Sequence, residues 1–359
     1  MSNHTTDVSP TQGSTMPYFS DSSTIISSTI VGNSTSVNSS SSPLDEIAAN
    51  DIMSTAIYVY SFFAALGFLA GCFLLFSFVQ TYRAHQRLAW LDCLLWVFCG
   101  LQLLLLLLSL HTATRPKYLS ITALSCAALS FTINTVSLCG LLVLVLMAYV
   151  LTLDPPSHAL LRRPGVCVTL VVLTSVLISL VLAGVRGPRD GLHEVTDCSM
   201  DPTSAGVSYA AARLFMVFLI PYILQLGLLI SGCVRQWKSK GRFLSGSEEG
   251  PVFLTVTVFM FFCLLFYSVS LLRGAQLESE KMLSYHERAF LTIAEFVLFS
   301  GSSISLLLVL FMHRPCRESL HGVMRQLRDC CRSPGRTQPN RNIIAPHIEI
   351  TDTLQDIES

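Results

Sequence analysis

The stretch CAALSFTINTVSLCGLLVLVLMAYVLTLDPP, residues 126–156, decides the fold of this chain. Its apolar part contains no charged residue before Asp154, and it is long enough to cross a bilayer with some tilt. A polar hinge, Asp154 to Pro156, follows it. We therefore interpret the stretch as one of several membrane-spanning helices, with Cys126 on the oxidising side and the hinge on the cytoplasmic side.

The composition of the whole chain is that of a membrane protein. Apolar residues make up 51% of the chain and charged residues only 13%, whereas soluble domains contain about 25% charged residues. The formal net charge is +0, which gives no indication of nucleic-acid binding. We find no zinc-type Cys/His spacing, no Ser/His/Asp grouping and no phosphate-binding glycine loop, so we predict neither an enzyme nor a cofactor.

Seven apolar blocks are each long enough to span a bilayer. We place them at about residues 55–80, 88–111, 118–151, 165–186, 207–233, 251–273 and 286–312. The predicted fold class is therefore an all-α membrane protein, a seven-transmembrane-helix bundle that occupies residues 55–312 and carries a short amphipathic helix after helix seven.

The distribution of basic residues predicts the orientation of the bundle. Lys and Arg are in excess in the loops on one side and in the C-terminal tail, and such an excess marks the cytoplasmic face. Residues 1–54 contain no Lys or Arg and hold N-x-S/T sequons at Asn3, Asn33 and Asn38. We interpret residues 1–54 as a disordered, glycosylated extracellular tail and the protein as a multi-pass protein of the plasma membrane.

The segment after the seventh block, residues 313–332, is predicted to form an amphipathic helix in the inner membrane interface. Its apolar residues recur at helical spacing, with arginines on the other face. Cys330 and Cys331 close it and are candidate palmitoylation sites, the alternative being unmodified thiols. Residues 333–359 are polar and are predicted to be a disordered cytoplasmic tail.

The organisation of residues 55–331 resembles a divergent rhodopsin-like (class A) G-protein-coupled receptor of orphan type. At the end of helix three, AYVLTLDPP places Ala148, Tyr149 and Val150 where the family has Asp-Arg-Tyr. Pro156 then matches the family's proline in the second inner loop. The position of the motif is retained, but its charged residues are absent.

Two further segments carry the resemblance. VLFMHRPCRESL is similar to the family's helix-seven ending, with Val309 at the tyrosine of Asn-Pro-x-x-Tyr. FLIPYILQ has the helix-five proline, Pro221, and FMFFCLLFYS matches the helix-six element at Cys263 and Tyr267. Phe266 replaces the helix-six proline, so this helix lacks the usual cause of a sharp bend.

The resemblance implies a cell-surface receptor that binds an extracellular ligand and signals through a heterotrimeric G protein, arrestin or both. The ligand is unknown, and a peptide or a cationic or zwitterionic ligand is favoured. Membrane lipids are the other expected partners. No binding of nucleic acid is expected. The implied G-protein interface comprises Tyr149, Asp154, Pro156, Arg235 and Lys238.

Two alternative functions remain open. Tyr149 cannot reproduce the ion pairs of the family's arginine, since a phenol is uncharged near neutral pH. This departure motivates a non-signalling pseudo-receptor, which would act as a scavenger or would regulate a membrane partner. A transporter or channel is the third hypothesis, and it would need more ionisable midplane residues and broken helices than the sequence shows.

The resemblance also implies a disulfide bond between Cys126, near the outer end of helix three, and Cys198, in the second outer loop. The oxidising compartment favours this pairing. The bond would pin the loop over the mouth of the bundle and would have a structural role.

Two ionisable residues inside apolar blocks, Arg213 and Glu295, are the strongest indications of a functional site. In the family their positions line the ligand cavity, to which Tyr267 and Tyr209 would add polar-tipped walls. The structural alternatives are an Arg213–Glu295 ion pair and side chains that extend to the membrane surface.

Asn134, in the middle of helix three, is predicted to form an interhelical hydrogen bond. Relatives use this region for a sodium ion held with an acid from helix two. Asp92 and Gln102 are the candidate partners here, but Asp92 lies close to the inner end and Gln102 is neutral.

Overall fold

The computed structural model describes residues 43–85, 90–113, 121–152, 164–186, 194–195, 200–239, 250–282 and 284–332. The helices are α1 Pro43–His85, α2 Trp90–Ala113, α3 Ala123–Thr152, α4 Pro164–Arg186, α5 Val207–Arg213, α6 Ile220–Ser239, α7 Gly250–Ser279, α8 Tyr285–Met312 and α9 Arg314–Arg332. A π-helical segment, Leu214–Leu219, joins α5 to α6, and we call this combined helix the fifth span. Two strands, β1 Ile121–Thr122 and β2 Glu194–Val195, pair antiparallel.

The described residues contain seven helical spans that are long and apolar enough to cross a membrane. The predicted all-α seven-helix membrane bundle is therefore confirmed, and so is the short helix after the seventh span, α9. α3 is the most buried of the seven spans, whereas α4 and the fifth span turn most of their surface outward. Large apolar side chains on these outward faces suit contact with hydrocarbon, because helices satisfy their backbone hydrogen bonds internally.

The bundle has two distinguishable ends, the strand end, which carries β1 and β2, and the α9 end. One apolar cluster includes Tyr60 and Tyr267 and extends to the loop residue Met200 near the strand end. A second cluster includes Phe78 and Met147 and incorporates the α9 side chain Cys316. α8 packs against α1 and α7, and α3 packs against α2, α4 and α6. α3, the most buried span, therefore lies among the other spans, inside the bundle.

The first helix begins at Pro43, well before the predicted start near residue 55. The prediction that residues 1–54 are a disordered tail is therefore wrong for residues 43–54. The sequence supplies proline at the first helical position and Asp45 and Glu46 in the first turn, and both features favour a helix start. The sequons at Asn3, Asn33 and Asn38 and the predicted tail 333–359 lie outside the described residues.

The strand pair joins the start of α3 to the segment before Met200. Ile121 pairs with Val195 and Thr122 pairs with Glu194. The third span was predicted to begin near residue 118, but α3 begins at Ala123 because β1 precedes it. Strands of two residues are too short to produce the alternating pattern from which strands are predicted.

The π-helical segment in the fifth span has a local cause. Pro221 lacks a backbone N–H, and its ring obstructs the carbonyl of Val217 in a regular α-helix. A π-type turn accommodates such a disruption and is frequent at functional sites. The buried face of this region includes Tyr209, Arg213 and Phe218, so the segment helps to place Arg213 inside the bundle.

α1 and α8 approach closely at Gly67. A Cβ atom at Gly67 would lie 2.6 Å from the Cβ of Ser303 and 2.7 Å from its Cα. Small residues allow helix backbones to approach in this way inside a membrane. Because the obstructing atoms include backbone, a rotamer change of Ser303 does not relieve the contact.

We expect Gly67→Ala to destabilise the protein by about 1–3 kcal/mol, the usual range for overpacking a tight interior. Gly100→Ala is the matched control, because no atom of the described residues lies within 4 Å of a Cβ at Gly100 and alanine favours helices. Thermal unfolding of both variants in detergent checks the prediction. Equal melting temperatures for the two variants would show that the α1–α8 contact is looser than described.

Candidate functional site

The carboxylate of Asp201 lies completely buried at the strand end, where four side chains surround it. Arg213 Nε lies 2.8 Å from Oδ2, and the Tyr267 hydroxyl donates to the same oxygen at 2.9 Å. The Tyr209 hydroxyl donates to Oδ1, and Asn134 Nδ2 donates to it at 3.3 Å. We call these four side chains the carboxylate cage. They come from α3, α5 and α7, so one loop carboxylate connects three spans.

Arg213 is the central cation of the cage and is only 1% exposed. Its Nη2 donates to Asn134 Oδ1 at 3.2 Å, and its Cζ lies 4.6 Å from the centroid of the Tyr267 ring. The ring face therefore stabilises the guanidinium through a cation–π contact. Nη1 of Arg213 is buried and has no hydrogen-bond partner among the described residues. The guanidinium thus has an unused donor at the site.

The residue before Asp201, Met200, is held by both of its backbone polar groups. Its N–H donates to Glu295 Oε1 at 3.1 Å, and its carbonyl accepts a hydrogen bond from the Ser130 hydroxyl. Arg186 Nη1 donates to the same hydroxyl oxygen at 3.1 Å. The loop segment Met200–Asp201 is therefore bound to α3, the fifth span, α7 and α8.

The structure brings together the residues that were predicted to line a ligand cavity. Arg213, Tyr209 and Tyr267 contact the same carboxylate, and Glu295 binds the adjacent backbone N–H. The ion-pair partner of Arg213 is Asp201, not Glu295, so the Arg213–Glu295 pair that we considered from the sequence is absent from these described contacts. Asp201 was not predicted, because a lone acidic residue in a polar loop gives no sign that it is buried.

Asn134 accepts an interhelical hydrogen bond from Arg213, as predicted, and donates a second bond to the loop residue Asp201. The two candidate sodium partners lie elsewhere. Asp92 faces His313, near the α9 end. Gln102 is 1% exposed, and its Oε1 has no hydrogen-bond partner among the described residues.

The cysteines fall into two groups. Cys126 is disulfide-bonded, whereas Cys139, Cys263, Cys330 and Cys331 are among the described cysteines with free thiols. Cys198 lies outside the described residues, so its pairing with Cys126 stays a prediction. Cys330 and Cys331 are exposed free thiols at the end of α9. Their palmitoylation stays a prediction.

The predicted G-protein interface is described only in part. Tyr149 is half-buried, and its buried hydroxyl has no hydrogen-bond partner within the described part of the chain. Arg235 is exposed at the α9 end of the fifth span. Asp154, Pro156 and the side chain of Lys238 lie outside the described residues.

His313 connects the seventh span to the rest of the α9 end. Its Nε2 lies 3.3 Å from Asp92 Oδ1, its Nδ1 lies 3.2 Å from Cys316 Sγ, and its ring centroid lies 5.5 Å from that of Phe78. Burial disfavours the charged imidazolium, but the interactions with Asp92 and Cys316 favour it and raise the pKa of His313 to about 9. The junction between α8 and α9 therefore contains a cation paired with α2.

We expect this pairing to make the stability of the protein dependent on pH. Because the folded pKa of His313, about 9, exceeds the ordinary value of 6.5, the stabilisation is complete below pH 6.5 and is lost as the pH rises through 9. The melting temperature of the natural chain should exceed that of His313→Gln at low pH, and the difference should shrink across this interval. A difference that stays constant would contradict the ion pair.

No protein-family model and no curated protein matches the chain.

Proposed function

We propose that this chain is a divergent class A G-protein-coupled receptor of the plasma membrane, with its strand end extracellular. It binds an extracellular ligand at the carboxylate cage and signals through a G protein, arrestin or both. The observation that supports this proposal is the buried polar site at the strand end, where α3, the fifth span, α7 and α8 all hold one loop segment. A ligand that displaces this segment changes the contacts of four spans at once.

The proposed ligand site consists of Arg213, Glu295, Tyr209 and Tyr267. It offers a buried cation, Arg213, next to Asp201 and a carboxylate, Glu295, next to the Met200 N–H. A cation and a carboxylate at one site suit a peptide or a zwitterionic ligand. Ligand binding acts by shifting an equilibrium between helix arrangements, and it needs different contacts in the two states to do so. Release of Asp201 from the cage provides such a difference.

A second candidate is a non-signalling pseudo-receptor, and the α9 end favours it. Ala148 is fully buried and apolar where the class A family has an acidic residue, and Tyr149 replaces the arginine. Val309, at the position of the helix-seven tyrosine, is also fully buried. With these residues, the family's ion pairs and hydrogen bonds at the cytoplasmic end cannot form.

Basal G-protein recruitment in living cells distinguishes the two candidates. We compare the natural chain with Tyr149→Arg, which restores the family's cation, and with Tyr149→Gln, which is a polar but uncharged control. Ala148 is left unchanged, because a fully buried position would impose a desolvation penalty on aspartate. Surface delivery of each variant is measured in parallel.

Recruitment by the natural chain above that of untransfected cells is the result we expect of a receptor. Recruitment by Tyr149→Arg alone would favour the pseudo-receptor, a receptor scaffold whose coupling residue has been lost. Silence of all three chains at equal surface density would contradict basal G-protein coupling, and arrestin recruitment would then be the remaining readout for signalling.

A further inference from the structure

The carboxylate cage has the composition of a binding site for a carboxylate. Asn134, Tyr209 and Tyr267 each donate a hydrogen bond to Asp201. Arg213, whose Nε lies 2.8 Å from Oδ2, adds the only full positive charge among these four contacts. A guanidinium and hydroxyl or amide donors together satisfy both oxygens of a carboxylate. The donors belong to spans, whereas the acceptor belongs to a loop.

The site has binding capacity that Asp201 does not use. Nε and Nη1 of Arg213 are both buried without a hydrogen-bond partner among the described residues, although most buried polar atoms have one. Asp201 pairs with the Nε edge of the guanidinium. A carboxylate held on a longer or freer chain could reach Nη1 as well.

The occupant of the cage can leave without the unfolding of a span. Asp201 is followed by Pro202, a 3-10 turn over Thr203–Ala205, and Gly206, whose φ of 88° suits glycine at the start of α5. Met200 is held by the backbone contacts to Glu295 and Ser130 and by its side chain, which is buried in the apolar cluster. Loops open at lower free energy than packed spans, so this segment is the exchangeable part of the site.

We infer that the cage is a carboxylate-binding site whose resting occupant is the chain's own Asp201, and that the external ligand carries a carboxylate that takes its place. Glu295, freed from the Met200 N–H, then accepts an N–H or ammonium group of the same ligand. This inference rests on the proposed receptor function for the ligand's role. The binding chemistry of the cage is independent of that function and can be tested without a signalling assay.

The test uses purified Asp201→Gly protein, in which the cage lacks its occupant, and sodium acetate as the probe. Sodium chloride at equal ionic strength controls for salt effects. Acetate should raise the melting temperature of Asp201→Gly in a saturable way, by roughly 3–6 °C at ten times its dissociation constant. The natural chain should show no such rise, because Asp201 occupies the cage.

One further variant and one further measurement keep the test decisive. Asp201→Gly combined with Arg213→Gln should lose the acetate response, because the cation of the cage is gone. If Asp201→Gly alone does not reach the cell surface, acetate in the growth medium should restore its delivery. An acetate effect that does not exceed that of chloride, in both the thermal and the delivery measurement, would overturn the inference.

A capped tripeptide distinguishes a free small carboxylate from a peptide side chain as the ligand group. Acetyl-Met-Asp-Pro-amide reproduces residues 200–202 and should stabilise Asp201→Gly at lower concentration than acetate, since it can displace Met200 from Glu295 and Ser130 and make those contacts itself. Acetyl-Met-Asn-Pro-amide is the matched control and should be at least tenfold weaker. Equal stabilisation by the two peptides would overturn the role of the carboxylate.

Discussion

Replacement of Arg213 with methionine is expected to remove most of the folded protein from the membrane. The substitution leaves Asp201, whose side chain is 0% exposed, without the cation 2.8 Å away. Removal of one partner from a buried ion pair costs about 3–5 kcal/mol, a large part of the stability of a typical protein. The folded fraction, measured by size exclusion of tagged protein in detergent, should fall sharply.

Arg273→Met is the matched control for this prediction. Arg273 also pairs with an acid, Glu287 at 2.6 Å, but its side chain is 61% exposed. Exposed ion pairs contribute about 0–1 kcal/mol, so we expect this variant to remain folded. If the two variants lost the same folded fraction, burial would not determine how much stability the loss of an ion pair removes. That result would argue against a buried cage.

The second large effect is expected for Cys126→Ala. Cys126 is disulfide-bonded at the start of α3, and the loss of a native disulfide typically costs 2–5 kcal/mol. The variant should show reduced surface delivery and a lower melting temperature. Cys139→Ala is the control, because Cys139 lies in the same helix, is equally buried at 5% exposure and is a free thiol.

The same series tests the predicted partner of Cys126. If Cys198 is that partner, then Cys198→Ala, Cys126→Ala and the double variant should lose equal amounts of stability, since each removes the same bond. Additive losses would contradict the pairing. Smaller losses of stability are expected for Gly67→Ala, which tests the packing of α1 against α8, and for His313→Gln, which tests the junction before α9.

The bundle could be predicted from the sequence because membrane spans leave a strong signal. A long run without charge, such as the one that contains α3, has few other interpretations. Arg213 and Glu295 were conspicuous for the same reason, as ionisable residues within apolar runs. The start of α1 was missed, because residues 43–54 are too polar to extend an apolar block even though they favour a helix.

The parts of the site that could not be predicted depend on contacts between distant segments. Asp201 lies in a polar loop, and only the assembled bundle shows that its side chain is buried against Arg213. His313 lies between two helices, and its partner Asp92 is far away in the sequence. Hydrophobic periodicity describes the faces of single elements, so it contains no information about which polar side chains meet.

The central claim is that Asp201 is held by Arg213 inside the bundle, and a double-mutant cycle tests it most directly. Melting temperatures and unfolding free energies are measured for the natural chain, Arg213→Met, Asp201→Asn and the double variant. Asparagine keeps one acceptor oxygen, so one of the two tyrosine hydroxyls, which donate to different oxygens of Asp201, loses its acceptor. This loss occurs in Asp201→Asn and in the double variant alike and therefore cancels in the cycle. If Arg213 holds Asp201 inside the bundle, the double variant loses no more stability than the worse single variant, with a coupling of about 1–3 kcal/mol. Losses that add within about 0.5 kcal/mol would contradict it.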